Sequence, residues 1–197
     1  MEIRPATEAD RDAFDEICLR TGDAGEDASG LHDDPRLLGA VYVGPYLALP
    51  GTVAFAGVDD HGVGAYVLGA IDTPAFEAAC AVDWWPALRE RYPEPPANPH
   101  DAALVAHIHR PPTTPAAVTD RYPAHLHIDL LPRLQGAGHG RRLIDALLTE
   151  LAAAGAPGVH LGVAARNTRA IGFYEHLGFR TLHDGPDARL MGRRLPS

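Results

Sequence analysis

Lysine is missing altogether. All 17 basic residues are arginine, set against 26 acidic ones for a formal net charge of −9. A chain without lysine has no internal Schiff base and no acetylation of its own lysines. It also has no ordinary ATP- or GTP-binding loop, because the GxxxxGK[ST] pattern needs an ammonium at the terminal phosphates. Cysteine is nearly absent too. Cys18 and Cys80 are too few and too far apart for a zinc ligand set or a disulfide framework, so a reducing, cytoplasmic setting is expected. No apolar run approaches the roughly 18–20 residues of a membrane span, and the mixed, acidic start MEIRPATEAD is unlike a signal peptide. The negative balance argues against nucleic acid and favours a cationic acceptor, since negative clefts concentrate cations. At 197 residues, with 46% hydrophobic and 22% charged, the composition is that of one globular domain, 1–197, with a sizeable core.

Glycine, by contrast, is concentrated where it can do chemistry. The segment HLHIDLL (125–131) alternates like a strand and runs into PRLQGAGHGRRLI (132–144), a glycine-rich bend opening into a helical pattern predicted over Arg141–Ala154. Gly136, Gly138 and Gly140 sit where the first helical turn must begin, so the backbone can curl closely around an anion. Unpaired N–H groups of that turn then point at the anion with the helix dipole behind them. Arg133, Arg141 and Arg142 add full charge. This is a diphosphate-sized site. A dinucleotide fingerprint GxGxxG fails, because Arg141 stands where its last glycine belongs and no acidic residue closes a second strand about 20 positions later.

The surviving pattern is Q-x-x-G-x-G, here Gln135, Gly138 and Gly140. It resembles the pyrophosphate loop of the GNAT family of N-acetyltransferases, which bind acetyl-coenzyme A. A second motif follows in the right order: a Gly155–Pro157–Gly158 break, a short strand VHLGV (159–163), then NTRAIGFYEHLGF (167–179). Asn167 suits a helix N-cap, Ala170, Ile171, Tyr174 and Leu177 keep helical spacing, and Gly178 suits the position after the helix. N-x-x-A with F-Y-x-x-x-G-F is similar to the next GNAT element. The first half reads strand (2–5), helix from Thr7 to about Arg20, an acidic loop (23–34), part-helical 35–49, and strands 52–58 and 63–71 joined at DDHG. That order matches the same fold. The resemblance implies an α/β protein with a central mixed, twisted sheet of six to seven strands flanked by helices. Residues 72–123 interrupt it between strands 3 and 4. Phe76, Trp84, Trp85, Leu88, Tyr92, Leu104, Val105 and Ile108 anchor this helical insertion, read as a packed lid beside the acceptor site with a helix break at Pro86. ICLRTGDAGEDASG, DDPRLLGAVYVGPYLAL, GAYVLGAID, DWWPALRERYP and RLMGRRL also resemble the acetyltransferase-like C-terminal domain of animal O-GlcNAcases. That domain is regarded as a pseudo-acetyltransferase with a degraded loop, whereas QGAGHG here is intact.

The resemblance implies acetyl-coenzyme A as co-substrate, held by Arg133, Gln135, Gly136, Ala137, Gly138, His139, Gly140 and Arg141. Main-chain groups of Leu130 and Leu131 serve the pantetheine and the oxyanion, and Asn167 and Tyr174 lie near the thioester. By the same resemblance Tyr174 is the proton donor to the leaving sulfur; a core aromatic is the bland alternative. His125, His127 and Asp129 alternate onto one strand face. Asp129 is the first candidate base, and at an ordinary carboxyl pKa it would be weak and would sooner bind the substrate ammonium. Burial or a neighbouring carboxylate would have to raise it. Asp129, His127 and Trp84 are the candidate acceptor-side residues. No metal is expected, since eleven histidines make chance clusters common. Two functions compete: acetyl transfer to an amine, small molecule or peptide, and noncatalytic acyl-coenzyme A binding. Acceptor identity and oligomeric state, monomer or homodimer, stay open.

Overall fold

The strands of this sheet divide their side chains between two cores, and that division sets up the site. The computed structural model describes residues 1–196. In chain order its elements are β1 (Glu2–Pro5), α1 (Arg11–Thr21), α2 (Leu37–Tyr42), α3 (Gly44–Ala48), β2 (Thr52–Asp59), β3 (Gly62–Ala70), α4 (Thr73–Ala79), α5 (Trp85–Arg91), α6 (Ala102–His109), α7 (Ala116–Thr119), β4 (Ala124–Leu130), α8 (His139–Ala153), β5 (Gly158–Ala164), α9 (Thr168–His176), β6 (Arg180–Asp184) and β7 (Ala188–Arg194). Along β3, Tyr66, Leu68 and Ala70 enter one core with α1, α2 and the insertion, while Ala65 and Val67 enter the other with α8 and α9. Period-two alternation is what a strand buried on both faces requires.

The sheet has seven strands in the order β1-β2-β3-β4-β5-β7-β6. All neighbours are antiparallel except β4 and β5, which run parallel and pair only at Ala124↔Val159 and His125↔His160. Beyond that pair the two strands part, and the mixed sheet is open at its centre.

Local chemistry explains the elements that flank this opening. Asp10 accepts from the Thr7 amide at 2.8 Å and from its hydroxyl at 3.1 Å, fixing the turn before α1. Asn167 accepts from the Ala170 amide at 3.0 Å and caps α9, and Gly178 follows that helix with φ 84°. Helix α8 opens at His139, two residues earlier than predicted, because Gly138 takes the left-handed cap conformation (φ 77°).

The insertion lies between β3 and β4. Its Phe76, Cys80, Trp85, Leu104 and Ile108 share one core with Phe14, Ile17 and Tyr66. The expected break at Pro86 falls earlier: residues 80–84 form a π-helical turn, and Pro86 sits in the first turn of α5. Proline is tolerated there because that N–H has no helical partner, and the wide turn upstream relieves the clash of its ring with the carbonyl four residues back. Polar bonds tie the insertion to the acidic loop. Arg91 and the Tyr92 hydroxyl both donate to Asp34 at 2.7 Å, Asn98 donates to the Leu31 carbonyl at 2.9 Å, and His32 Nδ1 lies 2.6 Å from Asp101. Among the described residues no helix is long and apolar enough to cross a membrane.

Candidate active site

The bend after β4 is a cradle of main-chain donors. Gly136 and Gly138 have φ 83° and 77°, and a Cβ on either would meet nothing within 4 Å. Glycine is needed there for backbone conformation, and the space in front stays open. Among the described residues the amides of Gly136 through Arg141 donate to no acceptor, and no side chain caps α8. His139 Nδ1, at the first residue of α8, is the one buried side-chain nitrogen or oxygen without a partner among the described residues. Arg141 is exposed and unpaired among those residues. A cradle of free donors, an unmatched imidazole nitrogen and a free guanidinium fits a diphosphate.

Four expected contributors have structural work of their own. Arg133 is committed to the β2–β3 hairpin, donating to Asp59 at 2.9 Å and packing over Gly64, and no longer faces the cradle as a free charge. The Leu131 amide donates to the Gly64 carbonyl at 2.9 Å, so it is not a free oxyanion donor. Gly140 is small for packing: a Cβ there would lie 3.1 Å from Phe173 Cζ, so its absence lets α9 approach α8. Gln135 donates through Nε2 to the Leu130 carbonyl at 2.8 Å and pins the bend to the strand end.

The Leu131–Gly64 bond also fixes which way the rest of β4 points. In an antiparallel pair the polar groups alternate sides. Those of Asp129 and His127 therefore serve β3, while those of Leu130 and Ile128 face the gap where β5 has parted. The Ile128 groups and the Leu130 amide have no partner there and can continue the ladder with an extended amide-bearing chain, beside the Leu130 carbonyl that Gln135 already holds.

On the side-chain face of β4 the three predicted residues have different fates. His125 is locked. Thr73 spends its hydroxyl proton on the Pro123 carbonyl at 2.6 Å, so His125 Nδ1 must donate to Thr73 Oγ1 (2.7 Å) and Nε2 must accept from the Tyr46 hydroxyl (2.6 Å). It is neutral and structural. His127 makes no hydrogen bond to the described residues and packs edge-on near Tyr42 and Tyr46, with burial holding its pKa down at about 4. Asp129 accepts from the Tyr66 hydroxyl at 2.5 Å, directly across the β3–β4 ladder. Burial is the larger influence and pushes the Asp129 pKa up to about 6, while the hydroxyls of Tyr66 and Thr21 pull against it. Tyr66 is itself fully buried beneath Phe14, with ring centroids 4.9 Å apart. Tyr174, on α9, is buried beside Phe173 and Phe179, and burial and the charge of Asp129 push its phenol up. It stays protonated at neutral pH.

A cavity of about 700 Å³ opens between the insertion and the first half of β4, lined by Tyr42, Tyr46, Phe76, Trp85, His107 and His127 among others. The order along β4 is therefore cradle, Asp129, His127, cavity.

The Acetyltransferase (GNAT) family model matches residues 83–179. The crystal structure of SsHAT is 38% identical, with a TM-score of 0.89 over 100% of this chain and 98% of that one. The chain belongs to the GNAT acetyltransferase family. Protein O-GlcNAcase of Rattus norvegicus is 25% identical over 182 residues, 89% of this chain. This GNAT chain spans only about a fifth of the length of the curated relatives it matches, 20% of each. In fold it also resembles yncA, a putative acetyltransferase from Salmonella typhimurium solved with its cofactor acetyl-CoA, at a TM-score of 0.60 and 20% identity over 100% of this chain and 95% of that one.

Within the GNAT fold the tryptophan that lines the cavity is the other member of the pair, Trp85. Trp84, expected at the pocket, donates Nε1 to the Ala40 carbonyl at 2.9 Å, lies under Arg11, and fills space that a Cβ on Gly44 would occupy, 2.2 Å away. Adjacent helical side chains diverge, so seating Trp84 on α2 and α3 leaves Trp85 to line the cavity. Sequence reasoning missed Tyr66, Tyr42 and His107. Tyr66 alone left a signal: once β3 and β4 are paired in register, GAYVLGA sets its ring opposite Asp129.

Proposed function

We propose that this chain transfers an acetyl group from acetyl-coenzyme A to a primary amine by direct attack on the thioester. Acetyl-coenzyme A supplies the acetyl carbon, its C–S bond breaking as the N–C bond forms and a thiol departs. The main-chain amides of residues 136–141, with His139 and Arg141, would hold the diphosphate, and the free groups of Ile128 and the free amide of Leu130 would pair with the pantetheine amides. Gln135 and Gly140 hold the cradle in place. Asp129 takes the proton that the attacking nitrogen must lose, and Tyr174 donates one toward the departing sulfur; solvent returns Tyr174 to its protonated state. Asn167 caps the helix that presents Tyr174, and its Nδ2 lies against Gly25 of the acidic loop.

The observation that carries this reading is the carboxyl of Asp129. A base held near pKa 6 is mostly ionised at neutral pH yet stronger than an ordinary aspartate, and the most effective catalytic pKa lies near the working pH. The cavity supports transfer over simple acyl-coenzyme A binding, because the insertion roofs the acceptor side and leaves room beneath. Calorimetric titration with acetyl-coenzyme A, followed by release of free thiol across an amine library, tests the proposal. Saturable binding with amine-dependent thiol release supports it. Binding without release from any amine would leave a noncatalytic binding module.

A further inference from the structure

The walls of the cavity, which reaches His127 two residues along β4 from Asp129, are unusual for a site that meets cations. Its lining carries one acidic side chain, Glu77, and no arginine. Glu77 Oε1 already accepts from the Thr114 amide at 2.9 Å and its hydroxyl at 2.8 Å. Rings dominate the rest. Tyr46 stacks on Phe76 with centroids 4.6 Å apart, Trp85 meets His107 at 5.5 Å, and Tyr42 lies 6.0 Å from His107 and 5.8 Å from His127. The imidazoles of His107 and His127 have no hydrogen-bond partner among the described residues, so their nitrogens are the polar points a ligand would meet.

Chemistry narrows the occupant. A polyamine or aminoglycoside brings several ammonium groups, and each one buried without a carboxylate costs several kcal/mol. One carboxylate, already half engaged, cannot match them. A lysyl side chain brings one ammonium on a thin apolar stem, which would leave most of a 700 Å³ chamber uncovered. An aromatic monoamine meets both conditions. Its ring covers the apolar walls, and its single nitrogen points along β4 past His127 toward Asp129. Removal from water also favours the neutral, nucleophilic amine.

Resting on the acetyltransferase reading above, we infer that the acceptor is a compact aromatic monoamine of the arylalkylamine class, seated in this chamber against Tyr46, Phe76 and Trp85, with His127 as a hydrogen-bonding guide for its nitrogen.

The test starts with acetyl-coenzyme A alone. If calorimetry finds no binding, the acetyltransferase reading fails before any amine is added. With binding in hand, thiol release is compared among 2-phenylethylamine, tryptamine, spermidine, kanamycin and a lysine-containing peptide. The expected result is a kcat/KM for the arylalkylamines on the order of 10- to 100-fold above the others, the worth of burying one aromatic ring. Preference for the polyamine, the aminoglycoside or the peptide overturns the inference and leaves the acetyltransferase reading standing. If no amine is turned over, binding of 2-phenylethylamine is followed by tryptophan emission, because Trp85 is in the wall. Ala81→Trp, at the rim formed by the insertion, should remove that binding while leaving acetyl-coenzyme A affinity intact. Saturable binding lost in this variant supports the chamber. No binding to the unaltered protein, or equal binding in the variant, overturns it.

Discussion

At the scale of single residues, the proposed reaction rests on Asp129 and Tyr174. Asp129→Asn should lower kcat by about 10²- to 10⁴-fold, the usual worth of a positioned base, with acetyl-coenzyme A affinity unchanged by calorimetry. Because the base works ionised and its pKa is raised to about 6, kcat/KM should climb as pH rises through about 6 and then level off. Stability runs the other way. A carboxyl whose folded pKa lies above its unfolded value contributes stability that is full below about pH 4 and is lost as pH rises through about 6. Asp129→Asn should therefore be more stable than the parent at pH 8, by about 3 kcal/mol, and not at pH 4, as urea denaturation at both values would read. Tyr174→Phe should reduce turnover more than it changes the dissociation constant for acetyl-coenzyme A; equal turnover would remove the phenol from the reaction. The strand alternation placed His125, His127 and Asp129 on one face, which the structure bears out. That His125 is consumed by Tyr46 and Thr73 was not legible, because those partners come from elements 79 and 52 residues away. Arg133 misled for a similar reason, its carboxylate partner lying on a hairpin 74 residues back.

At the scale of elements, the glycine bend was readable because its requirements are local. Positive φ at Gly136 and Gly138 follows from chain geometry within a few residues, and sequence carries such information directly. Gly138→Val would force a β-branched residue into the left-handed region, costing roughly 1–3 kcal/mol, with no steric clash from its Cβ. The expectation is a folded protein by circular dichroism with at least tenfold weaker acetyl-coenzyme A binding. A further reason for glycine at position 140 was not legible, because it is Phe173 of a helix still to come. The π turn at 80–84 escaped notice likewise, since Pro86 advertises a break but not which upstream residues absorb it. Trp84 and Trp85 are a fair measure of the limit: adjacency says they diverge, and only Gly44 with the Ala40 carbonyl decides which one turns away.

At the scale of the whole molecule, the insertion is fastened to the acidic loop through Asp34, which receives Arg91 and Tyr92. Asp34→Ala should loosen the roof of the chamber, raising KM for the amine several-fold and lowering Tm by a few degrees, while acetyl-coenzyme A affinity stays the same. A second clasp joins Arg166, just past β5, to Asp23 of the acidic loop. The layered architecture was legible from element order together with the family resemblance. Which wall of the chamber would be aromatic was not, because that depends on α2, α3, α4 and α6 meeting over β4.

The early divergence of β4 from β5 gives the protein a seam that is stitched at one end only. A visitor bearing its own amides would complete the stitching and bind two half-sheets into one. Acetyl-coenzyme A should therefore act as a structural tie: hydrogen exchange at Ile128 and Leu130 should slow on its addition, and the thermal transition should move upward by an amount that grows with its concentration.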